Sequence, residues 1–248
     1  MRLAAVLVCL LAAGCAAAQN GWTTASGAGI TAARYEQDLD VYPHRIMGNI
    51  REKAVLAARD AQGRTYRIDL RDQGANHNVF EDIAPRVVDA DGDGQNDIVV
   101  VESAQTEGAQ LAIYTLRNGA LVKAHATPYI GTRFRWLAPV AIADLDGNGV
   151  IDIAYVDRPH LAKTLRVWTF APGGLTEAAT LRDVTNHRIG DEQIFGGLRT
   201  CGGAPELILL SADWSDIIAV TFANGSLTRQ TIGPNTGPAA IAAALGCA

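Results

Sequence analysis

The stretch that decides the fold is VVDADGDGQNDIVVV, residues 87–101, in which four aspartates stand between two runs of valine and isoleucine. The aspartates occupy positions 1, 3, 5 and 9 of a loop that begins at Asp89, and Gly94 stands at position 6. Alternate residues of a tightly curled loop can turn their carboxylates toward one centre, and a glycine permits the sharp turn. Like charges this close repel one another unless a cation lies between them. The stretch therefore predicts a cation-binding loop between two β-strands, with a solvated acidic turn as the alternative.

A second copy, PVAIADLDGNGVIDIAYV at residues 139–156, repeats both the spacing and the apolar flanks. Two chance acidic turns would not be expected to share both features, so the pair predicts two cation sites. Calcium is favoured over magnesium, because a cage made of protein oxygens suits the larger ion, and position 7 would add its backbone carbonyl. The predicted ligands are Asp89, Asp91, Asp93, Gln95 and Asp97 in the first loop and Asp144, Asp146, Asn148, Val150 and Asp152 in the second.

An EF-hand would also place acidic residues at these spacings, but the sequence argues against one. Position 12 of an EF-hand loop needs a bidentate glutamate, and here it holds Val100 in one copy and Tyr155 in the other. The flanking residues alternate like strands or run apolar, without helical periodicity. Both loops are therefore predicted to join β-strands.

The N-terminus, MRLAAVLVCLLAAGCAAAQ, has one basic residue, an apolar stretch and a run of small residues. This pattern predicts a signal peptide over residues 1–18 and one domain over residues 19–248. A lipoprotein signal that is cut before Cys15 is the alternative. No second long apolar run follows, so no transmembrane segment is expected. We predict an exported protein, periplasmic or extracellular, or else a lipoprotein anchored through Cys15.

The formal net charge is −5, and the two loops alone contribute seven carboxylates. The acidity thus belongs to the predicted cation sites, and nothing in the charge distribution points to nucleic acid or to an anionic membrane. The sequence contains no G-x-S-x-G, no H-E-x-x-H and no G-x-x-x-x-G-K-[ST] motif. These gaps make an enzyme the less favoured class.

Other segments repeat along the chain together with the loops. A turn followed by a strand recurs at residues 27–35, 62–70, 118–126, 172–180 and 224–232, and a small-residue strand recurs at 44–50, 85–91, 139–147, 195–201 and 238–246. Four-stranded units that repeat at this period predict an all-β fold, a β-propeller of about five blades, with four as the other count. The inner strand at 238–246 and the N-terminal hairpin would close the ring from both chain termini. A β-sandwich is the alternative fold.

The loops resemble the FG-GAP/VCBS-type repeats of integrin-α-like β-propellers, through the pattern D-x-D-G-[DN]-G-x-x-D between strands at Asp89–Asp97 and Asp144–Asp152. The resemblance implies calcium-stabilised loops on one rim. It also places Cys201 and Cys247 in the equivalent loops of neighbouring blades, where the calcium ligands are missing. We therefore predict a disulfide between them in place of a metal ion, with two free thiols as the alternative.

Loops on a rigid scaffold commonly carry binding residues, and the rim opposite the calcium loops is rich in arginine, histidine and tryptophan. Arginine suits carboxylate or phosphate, and tryptophan suits a sugar ring or a peptide side chain. We predict a binding module for a protein or carbohydrate ligand; the alternative is an enzyme acting on a polysaccharide or another polymer through histidine and arginine of this rim. The candidate residues are His44, Arg45, His77, Arg133, Arg135, Trp136, Arg158, His160, His187, Arg188 and Trp214.

Overall fold

The computed structural model of the protein describes residues 21–73, 77–171 and 173–247. The predicted signal peptide and Cys15 lie outside these residues. Regular structure within the described residues is almost entirely antiparallel β-sheet, with one α-helix near the C-terminus. The predicted all-β class is confirmed.

The first half of the described chain forms two units. Unit 1 consists of β1 (Thr23–Thr24), β2 (Ala28–Asp38), β3 (Lys53–Asp60) and β4 (Thr65–Asp69), followed by a short 3-10 helix (Leu70–Asp72). Unit 2 consists of β5 (Val79–Phe80), β6 (Arg86–Val88), β7 (Gln95–Ala104), β8 (Gly108–Arg117) and β9 (Ala120–Ala126). Strands β5 and β6 both pair with β7, so they are two pieces of one interrupted inner strand.

The second half repeats the arrangement. Unit 3 consists of β10 (Leu137–Ala143), β11 (Asp152–Asp157), β12 (Thr164–Ala171) and β13 (Gly174–Arg182). Unit 4 consists of β14 (Val184–Thr185), β15 (Gly197–Arg199), β16 (Glu206–Ser211), β17 (Asp216–Ala223) and β18 (Ser226–Pro234), and helix α1 (Pro238–Leu245) follows it. The inner strand of unit 4 is again interrupted, because β14 and β15 both pair with β16.

Apolar side chains fill the spaces between successive units. Val100 and Tyr114 of unit 2 pack toward unit 1, whereas Val99 and Val101 pack toward unit 3. Because side chains alternate across a strand, the run DIVVV serves two cores at once. A third core, which includes Val156 and Leu209, joins units 3 and 4. The units are therefore stacked face to face in chain order.

The ends of the chain depart from the predicted ring closure. The segment 238–246 was predicted as an inner strand, but Pro238–Leu245 is helical and buries Ile241 and Ala244 against unit 4. Proline at the first position of a helix costs no hydrogen bond, and alanine and leucine favour helix. This part of the prediction is wrong.

The predicted strand at 44–50 is also wrong, since these residues form turns. The N-terminal hairpin belongs to unit 1 itself, because β1 pairs with β2 and β2 pairs with β3. The hairpin therefore does not complete a blade together with the C-terminus. The described residues contain four units, the lower of the two predicted counts.

Residues 39–52, which connect β2 to β3, link unit 1 to distant parts of the chain. The Tyr42 hydroxyl accepts a hydrogen bond of 2.8 Å from the Phe134 amide, and the Gly190 amide donates to the Ile46 carbonyl over 2.9 Å. Gly48 has a φ of +62°, and a Cβ there would lie 2.5 Å from the Gly190 carbonyl oxygen. A glycine is thus required where this connection meets unit 4.

Candidate metal loops and the opposite loop face

Three carboxylates converge in the loop between β6 and β7. Oxygens of Asp89, Asp91 and Asp97 lie within 4.8 Å of one another. The amides of Gly92 and Gly94 donate to the two oxygens of Asp89 over 2.8 and 2.9 Å. These bonds curl the loop and bring the three acidic side chains to one centre.

The loop between β10 and β11 has the same geometry. Oxygens of Asp144, Asp146 and Asp152 also lie within 4.8 Å of one another. The amides of Gly147 and Gly149 donate to the two oxygens of Asp144, each over 2.8 Å. The repeated spacing in the sequence therefore corresponds to a repeated hydrogen-bond pattern in the structure.

The side chains at position 5 are held slightly differently. Asp93 lies outside the close group of three, and its carboxylate accepts a bond of 2.8 Å from the Gln95 amide. Asn148 accepts a bond of 2.7 Å from the Val150 amide in the same way. Each of these side chains keeps an oxygen lone pair for a ligand bond. The carbonyl donors predicted at Gln95 and Val150 remain predictions.

The aspartate at position 9 stands on the sheet and is the most buried of each group. Asp97 pairs with Val88 across the sheet, and Asp152 pairs with Ala143. Burial, together with the nearby carboxylates of Asp91 and Asp93, raises the pKa of Asp97 to about 6. Burial also raises the pKa of Asp152. Both sites are thus electrostatically deficient in positive charge.

One atom of the second loop shows this lack of positive charge directly. Asp152 is fully buried, and its Oδ1 has no hydrogen-bond partner among the described residues. A buried, unpaired carboxylate oxygen is costly. A cation held by hard oxygen donors would satisfy it, so these residues fit a calcium ion.

The opposite rim of the units is called here the loop face. It consists of connections 39–52, 105–107, 158–163 and 212–215, the segments that join successive units, and residues 186–196, which lie between β14 and β15. His44 lies within it, and its Nδ1 is 2.6 Å from Oε1 of the buried Glu81. The His44 ring stacks on Phe134 with 5.1 Å between centroids. Burial raises the pKa of Glu81, and the contact with His44 opposes that shift.

A second histidine pair lies nearby. His160 Nε2 is 3.0 Å from His187 Nδ1, and His187 Nε2 is 2.9 Å from the Asp191 carbonyl oxygen. Because that carbonyl can only accept, His187 Nε2 carries a proton, and His160 donates to His187 Nδ1. Burial and His187 lower the pKa of His160 to about 4, and burial lowers the pKa of His187. Both rings are therefore neutral at neutral pH.

Two of the predicted residues lie beneath the loop face. His187 is completely buried. Trp136 is also buried, and its indole nitrogen donates to the Glu81 carbonyl over 2.8 Å. The Trp136 ring contacts both His160 and His187. These residues form the floor of the face and not its surface.

The arginines of the loop face fall into two groups. Arg45 and Arg158 form ion pairs with Asp40 and Asp157. The others contact aromatic rings or the backbone: Arg133 lies over Phe134 and Tyr42, Arg188 lies over Trp214, and Arg135 donates to the Phe134 carbonyl. This second group presents guanidinium donors on flat aromatic supports.

His77 is not brought to the other histidines by any contact of the described residues. Its carbonyl accepts a bond of 3.1 Å from Gln105. Among the predicted histidines, the structure brings His160 and His187 into contact, places His44 on the same face and leaves His77 apart.

The predicted disulfide is confirmed, with Cys201 bonded to Cys247 and 5.5 Å between the two Cα atoms. Arg199, which was not among the predicted site residues, lies beside it. Its guanidinium bonds to Glu206 over 2.8 Å and to the Ala244 carbonyl over 2.8 Å. Arg199 directly precedes the loop of unit 4 in which the calcium-binding aspartates are missing. This position in the sequence could have identified it.

Comparisons with known proteins agree with the geometry of the two loops. Residues 89–155 match the family model of the FG-GAP-like repeat, a range that begins at the first aspartate of one loop and contains all of the other. No curated protein gives a significant match to the sequence. Within the described residues, no helix has the length and apolar character to cross a membrane.

Proposed function

We propose that this chain, which carries an FG-GAP-like repeat over residues 89–155, is an exported, calcium-stabilised β-propeller-like module that binds a protein or carbohydrate ligand on its loop face. The observation that carries the proposal is the pair of equivalent loops, in which three carboxylates converge on one centre twice in the same way.

Calcium serves a structural role in this proposal. Each ion would join the end of an inner strand to the start of its neighbour, through the aspartates of one loop. With four side chains and a carbonyl around it, an ion of this kind has little room for a substrate. Affinities of extracellular calcium modules are commonly about 10⁻⁴–10⁻³ M, which suits a protein outside the cytoplasm. The disulfide supports the same location.

The loop face is the surface on which a ligand would be bound. Ile189 and Leu161 are 70% and 63% exposed, and both belong to this face. Arg133 and Arg188 lie on the same face, stacked on aromatic rings. Exposed apolar groups beside arginines and aromatics are typical of interaction surfaces.

The histidines favour a binding module over an enzyme. His44 is engaged with Glu81, and His160 and His187 are engaged with each other. A general acid or base needs a free site within reach of a substrate and a pKa near the working pH. The lowered pKa of His160, about 4, and the burial of His187 do not meet that need.

The test is thermal unfolding of the mature protein with Ca²⁺, with Mg²⁺ and with EGTA. Calcium alone should raise the melting temperature, since an ion that binds only the folded state adds about 2.7 kcal/mol per site at 100 times its Kd. The double variant Asp91→Ala, Asp146→Ala should melt at one temperature in all three solutions. If calcium does not change the melting temperature of the wild-type protein, the loops are acidic turns and the proposal fails.

The ligand surface is tested separately with the calcium-loaded protein. Leu161→Asp together with Ile189→Asp should abolish capture of the ligand partner while leaving the calcium response intact. Leu198→Asp is the control, because Leu198 is an exposed apolar residue that lies away from the loop face and outside the two metal loops. Capture that is lost in the control and kept in the loop-face variant would place the ligand elsewhere.

A further inference from the structure

A cavity in the cleft between units 1 and 2 contains none of the residues of the metal loops. Its volume is about 460 Å³, within the range of ~300–1,000 Å³ typical of small-molecule sites. Ile68 and Leu70 of unit 1 form one wall, and Leu121 of β9 lies on the other. These side chains give the cavity an apolar surface.

The polar end of the cavity is built around Glu102, which is 0% exposed. Asn78 Nδ2 and Lys123 Nζ donate to its Oε1, each over 2.8 Å. The Tyr114 hydroxyl donates to its Oε2 over 2.8 Å, and Tyr129 adds a bond of 3.2 Å to Oε1. Four donors from the connection before β5, from two strands and from the segment after β9 thus hold one carboxylate rigidly in place.

Two of these groups keep hydrogen-bonding capacity that a ligand in the cavity can reach. Asn78 is only partly buried, and it forms its bonds to Glu102 and Tyr129 through Nδ2, so Oδ1 can accept a bond. Lys123 has three N–H donors. One donates to Glu102, and a second reaches the Gln110 side-chain oxygen over 3.3 Å when that amide is oriented to suit its neighbours. Because Asn78 and Lys123 both bond Oε1 of Glu102, one donor and one acceptor are left side by side.

The charges that line the cavity cancel. Glu102 and Lys123 are its charged lining residues, and they form an ion pair of 2.8 Å. A ligand with a net charge would disturb this pair without finding a partner of its own. Hydroxyl groups both donate and accept, so they match the remaining capacity.

We propose that this cavity binds a neutral carbohydrate of mono- or disaccharide size. A sugar hydroxyl donates to Asn78 Oδ1, a hydroxyl oxygen accepts from Lys123 Nζ, and the C–H face of the ring packs on Ile68 and Leu121. The site borders the loop face through Asn78 and Tyr129, but it contains none of the arginines and exposed apolar residues proposed to bind a ligand there and none of the metal-loop aspartates. It therefore does not depend on the function proposed for either.

The experiment uses the full mature chain in calcium-containing buffer. Saturation-transfer difference NMR and calorimetric titration are carried out with glucose, galactose, mannose, N-acetylglucosamine, maltose and cellobiose, and with glucuronate and glucosamine as charged analogues. At least one neutral sugar should bind saturably, and the charged analogues should bind more weakly. Absence of binding by every neutral sugar in the millimolar range would overturn the proposal, as would a preference for a charged analogue.

Cavity-filling variants locate the binding. Leu121→Phe should reduce the affinity at least about tenfold, because a larger side chain fills the space that the ring needs. Leu227→Phe is the matched control, since Leu227 follows the equivalent turn in unit 4 and pairs with Phe222 as Leu121 pairs with Leu116. If Leu121→Phe does not fold, Ile68→Phe narrows the cavity from the opposite wall.

The outcomes separate this proposal from the previous one. Unchanged sugar affinity in folded Leu121→Phe or Ile68→Phe would overturn the assignment of the cavity. A normal calcium response without sugar binding would overturn this inference alone. Sugar binding by a protein whose melting temperature does not respond to calcium would overturn only the proposed role of calcium.

Discussion

The loop between β10 and β11 of unit 3 and the loop between β15 and β16 of unit 4 lie at equivalent places in their sheets. Ala143 pairs with Asp152 across unit 3, and Arg199 pairs with Glu206 across unit 4. A carboxylate therefore begins the second strand in both units. In unit 3 it faces two further aspartates, whereas in unit 4 it bonds to a guanidinium at 2.8 Å.

The difference is in where the positive charge comes from. In unit 4 the chain supplies it through Arg199, whose guanidinium also bonds to the C-terminal end of α1 at the Ala244 carbonyl. Cys201 and Cys247 tie the same loop to the residue just after that helix. In unit 3 a cation from solution would have to supply the charge. In the proposed function, a carboxylate at this place in the sheet is paired with a cation, which a side chain provides in unit 4 and an ion would provide in unit 3.

The largest effect is expected from the covalent link of unit 4. The double variant Cys201→Ser, Cys247→Ser should lower the free energy of unfolding by about 4 kcal/mol, the loop-closure value for a separation of 46 residues. Urea unfolding of this variant and of the wild type measures the loss. The calcium-induced rise in melting temperature should be the same in both proteins. If the variant loses that rise, then the disulfide of unit 4 and the calcium sites do not stabilise the protein independently.

A single charge in unit 3 distinguishes a metal ligand from a structural acid. Asp152→Asn keeps the shape and removes the charge. In EGTA the variant should be at least as stable as the wild type, because its buried oxygen no longer belongs to an unpaired carboxylate. In calcium it should lack up to about 2.7 kcal/mol of the stabilisation gained by the wild type. Urea unfolding in the two solutions measures both values.

The change in stability caused by Asp152→Asn, measured in calcium and in EGTA, distinguishes a metal ligand from a structural acid. If Asp152→Asn is destabilised equally with and without calcium, then Asp152 serves the fold through its hydrogen bond to the Leu145 amide and not through a metal ion. Asp97→Asn makes the same test in unit 2.

The matching change in unit 4 is Glu206→Gln, and it should behave differently. It leaves the half-buried Arg199 without its carboxylate, so it should cost about 1–2 kcal/mol in calcium and in EGTA alike. Melting curves in both solutions provide the measurement, and Glu177→Gln on the surface of unit 3 is a control for loss of an exposed ion pair. A calcium-dependent effect at Glu206 would contradict the idea that Arg199 takes the place of the ion.

The metal loops could be predicted from the sequence because their chemistry is local. The spacing of Asp89, Asp91 and Asp97 places the carboxylates in one turn, and a few backbone hydrogen bonds complete the geometry. The all-β class followed from apolar runs such as DIVVV for a similar reason. The disulfide followed from aligning one repeat with the next.

Features that depend on tertiary packing were not predictable in the same way. Residues 238–246 have the small, apolar composition of an inner strand, but packing of Ile241 against unit 4 selects a helix. The role of residues 39–52 depends on contacts with Phe134 and Gly190, which are far away in sequence. The cavity around Glu102 has no local motif, because Glu102 and its four donors come from five separate segments.

The smallest expected effect, taken per pH unit, is a pH dependence of stability that comes from the histidine pair of the loop face. A histidine in an unfolded chain has a pKa of about 6.5, whereas burial and His187 lower that of folded His160 to about 4. The unfolded state therefore binds more protons as the pH falls from about 6.5 to about 4. Stability is fully present above that window and is lost within it, by at most about 1.4 kcal/mol per pH unit for each proton.

Urea unfolding across this window, in saturating calcium, measures the slope. Calcium is needed because the raised pKa of Asp97 has the opposite sign and would mask the effect of the histidines in a calcium-free protein. His160→Asn should flatten the slope, since asparagine can still donate to His187 but does not titrate. His125→Asn, at a ring that contacts Phe170 and takes no part in the pair, should leave it unchanged. An equal slope in wild type and His160→Asn would mean that the pair does not couple the loop face to pH.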